Sequence, residues 1–88
     1  MTQKKIVEIA LVDNSKKGYD SHIKLLLDNG ETHLMRGFIE NGKTEVLEDF
    51  EAGLFDHVFN MGFMESDEQE INEWNEDHPK AEVIYKAA

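Results

Sequence analysis

Four histidines (His22, His33, His57 and His78) and 19 carboxylates are the residues whose types could bind a metal or move a proton in this 88-residue chain. His57 follows Asp56 and His78 follows Asp77, pairings that orient an imidazole in many metal and acid–base sites. The spacing argues otherwise. No His-Glu-x-x-His occurs and no two histidines stand four apart, so nothing converges on a metal from one helix face. His22 and His33 can face each other across a hairpin, which makes half a site at most, and structural or surface roles suit all four better. Asp13-Asn14-Ser15-Lys16-Lys17-Gly18 opens like a calcium loop, but Lys17 takes the fifth position and Lys24 stands where a bidentate Glu must be. Ser15, Ser21, Thr32 and Ser66 lack a Gly-x-Ser-x-Gly elbow, and the glycines are isolated rather than gathered into a phosphate loop. With no cysteine there is no disulfide framework, thiol nucleophile or iron–sulfur site. The expectation is a protein that is not an enzyme and carries no cofactor or metal.

Charge is more informative than any of these motifs. Residues 1–43 sum to +1, and residues 44–88 carry −11, with Lys80 and Lys86 as their only bases. Glu65, Asp67, Glu68, Glu70, Glu73, Glu76 and Asp77 place seven acids within 13 residues and no base among them. Such a field repels nucleic acid phosphates and anionic lipid, so direct nucleic acid binding and membrane association are not expected; partners should be basic.

The elements that position these residues follow from periodicity. Ile6–Val12 is β-branched and alternating, with Val7, Ile9 and Leu11 on one face. His22–Leu27 and Thr32–Ile39 flank Asp28-Asn29-Gly30, a hairpin signal, which places Ile23, Leu25 and Leu27 opposite Leu34 and Phe38 on the inward face. After Asn41-Gly42, residues 43–47 read as strand or helix. Leu47, Phe50, Leu54, Val58 and Met61 recur at helical spacing, which favours a helix capped by Thr44 and stopped by Gly62, with Gly53 as a bend. A second helix is expected from Ser66, in a capping box with Gln69, to about Asp77, where His78-Pro79 closes it. Ala81–Lys86 reads as a last strand. The order β-β-β-α-α-β in one domain over residues 1–88 gives an α+β fold, a small antiparallel sheet with both helices packed on one face. The N-terminal run resembles a signal peptide only faintly, since Glu8 interrupts it and Asp13 ends it, and a cytoplasmic location is expected.

Two functions fit. In the first, the acids of 65–77, flanked by Glu48, Asp49 and Asp56, occupy the basic, nucleic-acid-binding groove of a partner protein by imitating phosphates. In size, charge and lack of cysteine the chain is similar to the small acidic inhibitors of bacteriophages and mobile elements: anti-CRISPR proteins, anti-restriction proteins and uracil-DNA glycosylase inhibitors. That resemblance implies an inhibitor acting as a DNA or RNA mimic, and assigns no residue a role. In the second, Phe55 and Phe59, four residues apart on a helix flank, form an aromatic patch through which an adaptor homodimerises or docks, the charge serving solubility. Trp74, set among the acids, is either the anchor of its helix or a contact residue, and anchor is the better reading.

Overall fold

Strand alternation and turn chemistry build the first half of the molecule. The computed structural model describes residues 5–55 and 66–87. Strands β1 (Ile6–Val12), β2 (Ser21–Leu27) and β3 (Thr32–Gly37) form an antiparallel meander; β4 (Glu82–Lys86) adds to the other side of β1, giving the order β3-β2-β1-β4. Helices α1 (Lys43–Glu51) and α2 (Glu68–Asp77) complete the α+β fold in the expected order of elements. Among the described residues no helix is long and apolar enough to cross a membrane.

The core lies on one face of the sheet. Ile9 pairs with Leu25 and Leu11 with Ile23, and all four side chains are buried beside Ile6, Leu27, Ile39, Val46 and Phe55. Ile6 joins this face because the β1–β2 register shifts between Ile6 and Glu8, which leaves Val7 out of the alternation.

The β2–β3 hairpin corrects the expected register. Leu27 N–H donates to Glu31 C=O and Gly30 N–H to Leu27 C=O, while Asn29 Oδ1 accepts from Glu31 N–H, so three residues (28–30) form the loop. The odd count places Met35 opposite Ile23 and His33 opposite Leu25. A one-residue slip exchanges faces: Leu34 pairs with Lys24 on the opposite side, and Phe38, beyond the end of β3, is 57% exposed.

Helix α1 is shorter than its apolar repeat. It starts after Gly42 rather than at Thr44, and Glu45 secures that start by accepting from the N–H groups of Glu40 and Asn41. Gly53 stops it. With φ +76°, Gly53 adopts the left-handed conformation, donating to Phe50 C=O while Leu54 donates to Asp49 C=O, the paired bonds of a Schellman motif. Leu54 is consequently outside the helix and 58% exposed, and Val46, fully buried, is the residue that anchors α1 in the core. The expected continuation through Val58 and Met61 to Gly62 lies outside the described residues.

The helices divide between the two sheet faces, where both were expected on one. Val46 and Phe50 of α1 pack on the Ile9–Leu25 side, Phe50 meeting Tyr85 with ring centroids 4.5 Å apart. Helix α2 lies over the other side, where Trp74 meets Lys24 and His78 meets His22. Alternation along β2 explains the division: its second face carries His22, Lys24 and Leu26, too polar to form a core yet long enough in their side chains to cover an indole.

Candidate functional site: the acidic helix

Three attachments hold α2. At its start Asp67, not Ser66, is the N-cap, its Oδ1 accepting from Glu70 N–H at 2.8 Å. Ser66 has a different task. Its N–H donates to Thr32 C=O and its Oγ accepts from Leu34 N–H, fastening the chain to the outer edge of β3. In the middle, Trp74 is buried at 8% exposure, as an anchor should be, and Lys24 Nζ lies 5.0 Å from its ring centre. The same ammonium donates to Asn75 Oδ1 at 2.7 Å. At the far end the His78 ring stacks on His22 and meets the Trp74 edge at 4.9 Å.

The acids sort onto two sides. Asp67, Glu68, Glu73 and Glu76, with the amides of Gln69 and Asn72, line one open concave surface on the solvent side. Glu70 and Asp77 turn toward the sheet, and with Glu73 they border a shallow cleft that also touches His22, Leu34, Trp74 and His78. Burial, then the neighbouring His78 and Arg36, hold the His22 imidazole below its usual pKa, so it favours the neutral ring. Among the described residues none of these six acids forms an ion pair: Lys24 sets its ammonium against Asn75 and Trp74 on the sheet side of α2, and Arg36, which shares a recess with Glu70, reaches Asp20 at 3.8 Å. The solvent-side carboxylates Asp67, Glu68, Glu73 and Glu76 thus have no ion-pair partner among the described residues.

Of the other residues expected to contact a partner, Phe55 is buried in the core at 7% exposure, because the chain turns inward after Gly53. It cannot form the first half of an exposed aromatic patch. Phe59 and Glu65 lie outside the described residues, as does Asp56. Among the described residues no cluster of three or more His, Asp or Glu side chains is arranged to hold a metal ion. His33, one of the four histidines, meets Glu31 at 3.3 Å.

Sequence reasoning missed the support beneath α2. The sign was present in β2, where His22 and Lys24 alternate with Ile23 and Leu25; a strand with polar residues that long needs something to cover them. No family model, curated protein or solved structure matches this chain.

Proposed function

We propose that this chain is a non-enzymatic binding protein whose α2 occupies a basic, nucleic-acid-binding groove of a partner protein, in the manner of a phosphate mimic. The observation that supports this most is the uniform sign of α2. Six acids occupy the helix and its cap, no base stands in its last turn, and none of the six forms an ion pair with a described base. Helix physics favours the opposite arrangement. Glu73, Glu76 and Asp77 sit at the negative end of the dipole, and Glu70–Glu73, Glu73–Glu76 and Glu73–Asp77 repel across one turn. A helix kept only for packing gains from interspersed lysines; this one forgoes them, as suits a surface whose negative charge is its purpose.

Mechanistically, the solvent side made by Glu68, Glu73 and Glu76 meets the partner's Arg and Lys side chains in charge-assisted pairs. Gln69 and Asn72 add neutral hydrogen-bonding groups between them, and the long-range field speeds encounter. Occupied in this way, the groove no longer admits nucleic acid, the inhibitory logic of phage anti-defence proteins. The alternative adaptor reading has lost one of its two aromatics to the core.

Charge reversal tests the proposal. Glu68→Lys, Glu73→Lys and Glu76→Lys together should abolish partner binding while leaving the fold unchanged, since all three side chains are exposed. Binding that survives the triple reversal and ignores salt would overturn it.

A further inference from the structure

Strand β4 ends the sheet on the side away from the acidic helix. Ala87 N–H donates to Val7 C=O and Tyr85 pairs with Ile9, so the alternation turns the N–H and C=O groups of Ile84 and Lys86 outward. Among the described residues nothing bonds to these groups. The described residues that border 1–4 and 56–65 lie toward the other edge. Phe55 sits beside Ile23 and Met35, Ser66 is fastened to β3, and both backbone groups of Lys5 bond to Asp28 in the β2–β3 loop.

The charge along β4 differs from that of the rest of the second half. Residues 44–88 have two bases; Lys86 lies in β4 and Lys80 precedes the strand by two residues. Glu82 stands at the start of the strand and meets Lys43 at 3.7 Å, with both side chains exposed. A lysine on a sheet edge ordinarily deters a second strand. Here the strand carries opposite charges at its two ends around an apolar centre, Val83-Ile84-Tyr85. Laid antiparallel to a copy of itself and centred on Ile84, it sets Glu82 of each copy against Lys86 of the other.

We infer that β4 is the seam of a two-fold homodimer in which two four-stranded sheets join edge to edge. Ile84 N–H and C=O bond across the axis to the same groups of the copy. Glu82 then lies between Lys43 and the partner's Lys86, and the seam covers part of Val83, which is 50% exposed in the single chain. Repulsion between the acidic helices is small in this arrangement. Each α2 lies over β2 and β3, the strands farthest from the seam, and a two-fold axis normal to the sheet keeps both helices on one face. A five-residue seam is a small interface, so the dimer forms at high concentration and dissociates on dilution. It uses no residue of α2 and does not depend on the function proposed above.

The test is sedimentation of the full chain over a dilution series up to ~1 mM, with amide exchange at Ile84 as a local reading. The expected result is a monomer–dimer equilibrium in which the Ile84 amide exchanges more slowly as concentration rises. Glu82→Lys and Lys86→Glu each place like charges opposite one another twice, and each should weaken the dimer about tenfold. Circular dichroism checks that both variants keep the fold. Mixed in equal amounts, the two variants present only opposite charges across the seam and should associate as tightly as the unmodified protein. The triple reversal at Glu68, Glu73 and Glu76 should not weaken the dimer. A chain that stays monomeric across the series, single variants that associate as the unmodified protein does, or a mixture no tighter than either variant alone would overturn the inference.

Discussion

The imidazoles of His22 and His78 stack with centroids 4.5 Å apart, joining the middle of the sheet to the C-terminal cap of the acidic helix. This contact favours a neutral His22 ring. Burial, His78 and Arg36 lower the His22 pKa below its ordinary 6.5, with Asp20 opposing, while Glu73 and Asp77 border the same cleft. A histidine whose folded pKa is depressed stabilises the fold fully above its unfolded pKa, and that contribution is lost as pH falls through the folded value. Urea midpoints should therefore drop between about pH 7.5 and pH 5, and His22→Gln should flatten that part of the profile. An unchanged slope in the variant would assign the loss to other groups.

Trp74 offers a test of what attaches α2. Its Nε1–H is buried with no hydrogen-bond partner among the described residues, so the indole contributes through its area and its ring rather than through its donor. Trp74→Ala should cost about 3 kcal/mol, typical of a buried aromatic truncation. Trp74→Phe should cost less than half of that, because it also removes an unsatisfied donor. Chemical denaturation of the three proteins measures the difference; equal losses would mean that Nε1 has a partner in solution.

The two residues before α2 separate by substitution. Asp67→Ala should lower stability by about 1 kcal/mol through the lost cap. Ser66→Ala should leave the helix intact and instead speed amide exchange at Leu34, whose N–H loses its acceptor.

Gly42 marks the close approach of the first loop to α1. Its φ of +59° disfavours any side chain, and a Cβ there would collide with the Asp13 carboxylate. Gly42→Ala should destabilise by roughly 1–3 kcal/mol, and Asp13→Ala should recover only the steric part. Hydrogen bonds from Ser15 lower the Asp13 pKa, so its own contribution is present above pH 3.8 and is lost as acid protonates it.

The same residues explain how much of this molecule was legible in its sequence. The α+β class and the order of elements are readable because β1 and β2 alternate, the apolar residues after Gly42 recur at helical spacing, and α2 carries clear start and stop signals. The register of β3 is not. Asn29-Gly30 announces a hairpin but does not say whether its loop has two or three residues, and that single residue decides whether Leu34 or Met35 faces the core. Gly53 was read as a bend because Leu54 continues the apolar spacing; the local Schellman bonds outweigh a pattern whose next member is solvent-exposed. The acidic helix was evident from composition, and Trp74 as its anchor. The sheet face that receives it was hidden, because His22 and Lys24 resemble a solvent face until an indole lies across them.

The most direct test of the central proposal is a competition measurement on the immobilised chain in bacterial lysate at low salt and at ~0.5 M salt. The account predicts capture of a nucleic-acid-binding protein that is released by salt, displaced by added DNA or RNA, and lost when Glu68, Glu73 and Glu76 are reversed to Lys. A captured partner that nucleic acid fails to displace, held equally by the reversed variant, would contradict it.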